Sequence, residues 1–110
     1  MVEYVPERGD VVWLEFNPQS GHEQAGRRPA IVLSPKRFNE VTGFIFCCPI
    51  TSKIKGYPFE VKIEGKVSGV ALSDQIKSLD FRARNAKYIQ KAPRSVVDEI
   101  IAKIKLVLEG

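Results

Sequence analysis

The chain has 110 residues, 44% of them hydrophobic and 27% charged, with a formal net charge of +4. That size fits a single domain over residues 1–110 and excludes a second, while the composition is that of a folded protein rather than a disordered one. No apolar run approaches the roughly 20 residues of a membrane helix, and residues 1–10 carry charges in place of an apolar leader, so no membrane partner is expected. The excess of Lys and Arg favours a polyanionic partner, because cationic side chains attract phosphates at long range.

In chain order, residues 11–16 (Val-Val-Trp-Leu-Glu-Phe) predict a strand opened by Gly9-Asp10 and closed by Asn17-Pro18, with Trp13 and Phe16 turned into the core. Residues 18–28 form a polar loop containing Gly21 and Gly26. It is long for a compact domain, which makes it a place to look for function. Residues 29–33 (Pro-Ala-Ile-Val-Leu) read as a buried strand ended by Ser34-Pro35, and residues 36–41 as a single helical turn. Residues 43–50 predict another strand. It holds the adjacent Cys47 and Cys48 among Phe44, Ile45, Phe46 and Ile50, so both thiols are expected buried and unpaired, in a reducing cytoplasm. The lone His22 is far in sequence from both thiols, so zinc-ligand spacing is absent.

Alternation over residues 57–63 puts Tyr57, Phe59, Val61 and Ile63 on one face, and residues 70–79 and 86–90 supply further short strands. Only the last segment has a helical period: Pro93 suits a first turn, and Val97, Ile100, Ile101, Ile104, Val107 and Leu108 form one apolar stripe. That stripe packs on the sheet or on a partner subunit. Short strands followed by one helix predict a mainly β fold with short helices, a small barrel-like sheet carrying a C-terminal helix.

Three polar points carry the chemistry. The loop Gly21-His22-Glu23-Gln24-Ala25-Gly26-Arg27-Arg28-Pro29 sets a carboxylate, an imidazole and two guanidiniums beside two glycines. Thr51-Ser52-Lys53, with Lys55, follows the strand that ends near Pro49. Ser73-Asp74-Gln75, with Lys77, interrupts an otherwise apolar run. RNA cleavage without a metal needs a base for the ribose 2′-hydroxyl, an acid for the departing 5′-oxygen, and donors for the charge growing on the phosphoryl oxygens. The three segments hold candidates for each.

The segment 21–29 resembles the signature of the MazF/PemK (Kid) toxin family. Further matches follow in order: Gly9-Asp10-Val11-Val12-Trp13, Pro49-Ile50-Thr51-Ser52, Gly56-Tyr57-Pro58-Phe59-Glu60-Val61, Asp74-Gln75-Ile76-Lys77-Ser78 and Arg82-Ala83-Arg84. The resemblance implies an SH3-like, CcdB/PemK-type small barrel, a homodimer, and an endoribonuclease closest to the MazF-type mRNA interferases. It implies single-stranded RNA as substrate, no metal or other cofactor, and a cognate acidic antitoxin of the MazE type. In the MazF manner, Glu23, Arg28 and Thr51 would be catalytic. Glu23 would serve as base, Arg28 as a bidentate clamp on the phosphate, since a guanidinium does not give up its proton, and Thr51 as a hydrogen-bond donor. The resemblance puts Gln75 and Lys77 near the RNA groove; Gln24, Arg27, Ser52, Lys53, Lys55, Arg82 and Arg84 are further candidate RNA contacts, the alternative being a solvated strand edge for Arg82 and Arg84 and an outward-facing strand lysine for Lys77.

The Kid branch suggests a different trio, a loop His followed by an Arg and an Asp one residue apart. His22 and Asp74 match two members, but Leu72 stands at the Arg position, which favours the MazF assignment. His22 stays a candidate acid or base, because imidazole titrates near working pH. Two other readings differ in class. A CcdB-like toxin would bind gyrase and cut nothing, but that family uses a C-terminal tail with a tryptophan, whereas the only Trp here is Trp13. A non-catalytic RNA-binding module would bind RNA and leave it intact.

Overall fold

The computed structural model describes residues 3–16 and 26–110. Its elements are β1 (Asp10–Glu15), β2 (Arg27–Val32), α1 (Lys36–Thr42), β3 (Phe44–Thr51), β4 (Glu60–Ile63), β5 (Gly69–Leu72), a 3₁₀ turn (Ser73–Gln75), β6 (Lys77–Asp80), β7 (Lys87–Lys91) and α2 (Arg94–Glu109). The strands form one antiparallel sheet in the order β4-β5-β3-β2-β1-β7, with β6 paired to β3 off that path. This is a mainly β half-barrel carrying a C-terminal helix, as the sequence predicts.

The eight-residue β3 organises the sheet. One edge pairs with β2 (Ala30 with Pro49, Val32 with Cys47). The other pairs first with β6 (Phe44 with Asp80 through Cys47 with Lys77) and then with β5 (Ile50 with Ala71, Thr51 with Val70). The 3₁₀ turn sits between those two partners, so residues 70–79, expected as one strand, are two strands separated by Ser73–Gln75.

Strand alternation sends neighbouring residues to opposite faces, and two apolar clusters result. Val11, Ile31, Cys48, Ile50, Val61 and Ala71 pack with Val97 and Ile100 of α2. Val12, Leu14, Phe16, Ala30, Val32, Ile45, Cys47 and Phe81 fill the other face. Both cysteines are buried and free, as expected.

Two expectations need correction. Trp13 is 38% exposed, because it lies two residues along β1 from Val11, past the side chains that pack against α2; Phe16 is buried as expected. Tyr57 is 58% exposed, because β4 begins only at Glu60 and the alternation at 57–59 belongs to a turn. The apolar stripe of α2 is buried at Val97 and Ile100 but exposed at Val107 and Leu108.

A buried polar knot anchors the end of the sheet opposite Thr51. The Asn39 amide, fully buried, donates to the carbonyls of Pro6 (2.8 Å) and Ser34 (3.1 Å) and accepts from the Ser34 hydroxyl. Ser34 Oγ in turn accepts from the Phe46 amide at 2.9 Å. Asn39→Leu would take the Asn39 donor from the Pro6 and Ser34 carbonyls and the acceptor from the Ser34 hydroxyl proton, all in the interior. It is expected to lower unfolding free energy by about 3 kcal/mol, read as a reduced urea midpoint at unchanged slope.

Candidate active site

The site is built on the face of the sheet opposite the cluster packed on α2. Cys47, Ala30 and Leu14 belong to one buried cluster. Arg28 pairs with Leu14 and lies two residues before Ala30, so alternation gives it the same face. Thr51 lies four residues beyond Cys47 on β3, and Lys77 pairs with Cys47, so both share that face. The β2–β3 ladder ends at Ala30 and Pro49, two residues short of Arg28 on one strand and of Thr51 on the other, so the two residues belong to the same end of the sheet. β2 begins at Arg27, so the two arginines expected at a loop boundary are strand residues.

The cation side of this face is visible in its effect on Cys47. Burial raises that thiol's pKa, while the positive charges of Lys77 and Arg84 pull the other way. Arg84 is half-buried and donates to the Glu15 carbonyl at 3.2 Å, and Arg27 donates to the Asn85 carbonyl at 3.2 Å. The Phe16 amide donates to the Gly26 carbonyl at 2.9 Å, bringing the two ends of the β1–β2 connection together at this end of the sheet. His22, Glu23 and Gln24 fall within that connection and lie outside the described residues.

Beside Thr51 opens a cavity of about 460 Å³, lined by Thr51, Lys53, Lys55, Tyr57, Glu60, Leu72, Asp74 and Gln75. Five expected site residues, Thr51, Lys53, Lys55, Asp74 and Gln75, therefore share one wall system. Thr51 is buried, and its Oγ1 accepts from the Lys53 amide at 3.1 Å. Its own hydroxyl proton is left to donate.

Sequence reasoning missed Glu60 and Tyr57 as cavity residues. The Glu60 carboxylate accepts from the amides of Lys55 and Gly56, both at 3.0 Å, and so fixes the loop that carries the two lysines. The signal was a carboxylate four and five residues past two loop amides, which a search for titratable chemistry passes over. Tyr57 places its ring 5.7 Å from Lys55 Nζ, a cation–π contact that aligns the ammonium with the cavity wall.

Not every expected residue joins this group. Arg82 pairs with the Glu3 carboxylate at 2.8 Å, on an exposed edge near Gly43. Ser52 is exposed beside Thr51 and does not line the cavity. Leu72 occupies a cavity wall where the Kid-like trio would need an arginine. Among the described residues, no group of three or more His, Cys, Asp or Glu side chains converges as a metal site. Burial, with a smaller contribution from Asp74, pushes the Cys48 thiol up to about 12, so neither cysteine is a ready nucleophile.

Gly69 sets the position of Thr51. A Cβ built there would sit 2.3 Å from the Thr51 carbonyl oxygen, which is backbone and cannot swing aside. Gly69→Ala is expected to push the end of β3 away from β5. Loss of Thr51 amide protection in hydrogen exchange, with the amides of β1 unaffected, is the measurement that checks it.

Residues 7–108 match the family model described as PemK-like, MazF-like toxin of type II toxin-antitoxin system. The endoribonuclease toxin MazF of Escherichia coli (strain K12) is 47% identical over 106 residues, covering 96% of each chain. The crystal structure of MazF (Form-I) from Deinococcus radiodurans superposes with a TM-score of 0.94 at 51% identity, covering 98% of this chain and all of that one. A MazE-MazF crystal structure (Form-II) from the same organism contains a chain that matches with a TM-score of 0.87 at 51% identity, over 97% of this chain and 98% of that one. This chain belongs to the PemK-like, MazF-like family of type II toxins.

Proposed function

We propose that this chain is a sequence-specific endoribonuclease, the toxin of a type II toxin-antitoxin pair, that cuts single-stranded RNA without a metal ion. The observation that carries the reading is one cavity lined by Thr51, Lys53, Lys55, Asp74 and Gln75, at the end of the sheet where β2 begins at Arg27. A hydroxyl donor, a guanidinium and two ammonium groups around one phosphate are what phosphoryl transfer requires of a protein that supplies electrostatics.

In the proposed reaction, Glu23 takes the proton of the ribose 2′-hydroxyl. The 2′-oxygen attacks phosphorus in line, and the bond from phosphorus to the 5′-oxygen breaks. That oxygen collects a proton from an acid, for which His22 is the candidate. The products are a 2′,3′-cyclic phosphate and a 5′-hydroxyl. Arg28 clamps the phosphate, and Thr51 donates to a phosphoryl oxygen as charge accumulates there.

Purified protein is expected to cut a long RNA in excess EDTA and to leave intact a substrate with 2′-deoxyribose at the cleaved nucleotide. Cutting that required a divalent ion, or that ignored the deoxy substitution, would overturn the mechanism. Arg28→Ala is expected to slow cleavage by roughly 10²-fold, the scale of a lost transition-state donor, at an unchanged thermal midpoint.

Two partners follow. A cationic groove that takes RNA also takes an acidic peptide, so the cognate antitoxin should carry an acidic disordered tail, with both complexes weakened by salt. A second copy of this chain fits the apolar groove of about 410 Å³ lined by Leu33, Phe38, Phe46, Ile76, Ile101 and Leu108. Phe38, Phe46, Ile76 and Leu108 are all more than a third exposed in the single chain, and covering them is favourable. Sedimentation is expected to give a dimer for the wild type and a monomer for Phe46→Lys. No helix among the described residues is long and apolar enough to cross a membrane, and the proposed substrate puts the site of action in the cytoplasm.

A further inference from the structure

The path of the sheet starts at β4 and ends at β7, and no ladder joins those two strands among the described residues. A side chain spans the gap instead. Gln90 Nε2 donates to the Glu64 carbonyl at 2.8 Å, and Gln90 Oε1 accepts from the Val67 amide at 3.1 Å. One amide thus ties β7 to two points of the turn that joins β4 to β5. It lies against Gly65, where an added Cβ would sit 2.7 Å from Nε2 and 2.8 Å from Oε1. A β-bulge aims the side chain. Val11 pairs with Gln90 but Val12 with Tyr88, so Ile89 is an extra residue on β7. Ile89 packs against the α2 cluster while Gln90 reaches the turn. Bulges re-aim side chains in this way.

The turn leads directly to Thr51. The β2–β3 ladder stops at Pro49, so β2 does not hold the last two residues of β3. On the other edge, Ile50 pairs with Ala71 and Thr51 with Val70, and the β3–β5 ladder has no further pairs. Gly69, the first residue of β5, packs against the Thr51 carbonyl with no room for a Cβ. A strand end held by two pairs frays easily. The Gln90 amide gives β5 a further fixed point, just before Gly69.

We infer that Gln90 is a positioning residue for RNA cleavage: it locks the β4–β5 turn to β7, and through β5 it fixes the Thr51 hydroxyl. Gln90 does not line the cavity beside Thr51, so it acts at a distance from the substrate. The inference rests on the reading of Thr51 as the donor to a phosphoryl oxygen. A misplaced group at the reacting centre slows the chemistry even when the cause lies far away.

The test is a double-mutant cycle between Gln90→Met, which keeps the length and loses both hydrogen bonds, and Thr51→Val, which loses the hydroxyl. It is read as kcat and KM on a short RNA spanning a mapped cut site. Gln90→Met is expected to lower kcat by about 10-fold at unchanged KM, with faster hydrogen exchange of the Val67 amide. In the Thr51→Val background the same substitution is expected to change kcat by less than about twofold, because no hydroxyl is left to misplace. Gln90→Glu keeps the acceptor for Val67 and sets an oxygen against the Glu64 carbonyl; it replaces Gln90→Met if circular dichroism shows the latter unfolded. Three results overturn the inference alone: a Gln90 variant as fast as wild type while Thr51→Val is slow, a change in KM without kcat, or an equal loss of kcat in both backgrounds. A Thr51→Val variant as fast as wild type removes Thr51 from the mechanism and the inference with it. A wild type that cuts no RNA overturns the endoribonuclease reading as well.

Discussion

β3 is hydrogen-bonded along both edges, to β2 on one side and to β6 and then β5 on the other, and that double pairing sets the faces of Thr51 and Lys77. A one-residue slip of a strand would turn all its side chains to the opposite face. Slipping β3 would carry Thr51 to the side packed on α2, and slipping β2 would do the same to Arg28. The apolar residues of the two clusters make any such slip expensive, because it would exchange Cys47 with Cys48 and Val32 with Ile31 across the sheet. The site is therefore specified by hydrophobic burial, although none of its working groups is hydrophobic.

The charges divide between the two ends of the sheet. At the Thr51 end, cations gather on a face whose floor is apolar, a setting in which their fields reach a bound phosphate with little screening by water. At the opposite end, two buried polar groups are satisfied internally. Asp10 is buried and accepts from the Tyr4 hydroxyl (2.7 Å), the Glu7 amide (3.0 Å) and Lys91 Nζ (3.0 Å). Asn39 does the same work for the segment around Pro6. These buried bonds hold the fold at that end, while its surface keeps charged groups of both signs, among them Glu7, Arg8, Lys91 and Arg94. Lys103 of α2 reaches the Pro58 carbonyl at 2.6 Å, so the helix also braces the turn that frames the cavity.

Much of this was readable from residue order alone. The helical stripe from Val97 to Ile104 and the alternation of β1 and β3 gave the elements to within a residue or two, because burial periodicity is a property of the chain itself. The start of β2 was not legible. Arg27-Arg28-Pro29 has the composition of a loop, and only the register shows that the ladder to β3 begins at Ala30, beside a proline with no N–H to give. The division of residues 70–79 was hidden for a related reason: the two halves face different stretches of the same partner strand, which is tertiary information. At the site, types and order pointed to Thr51, Lys53, Lys55, Asp74 and Gln75. The part of Glu60 stayed hidden, because a carboxylate that caps backbone amides looks like any surface carboxylate in one dimension.

The two adjacent sulfurs lie on opposite sides of the sheet, one in each apolar cluster. A disulfide needs its sulfurs about 2.05 Å apart, and a pleated strand holds neighbouring side chains pointing in opposite directions. No bridge between Cys47 and Cys48 can close while β3 keeps its ladder. Peroxide or a shift in glutathione balance thus meets a scaffold whose sulfurs behave as hydrocarbon, and the molecule has no redox brake on its sheet.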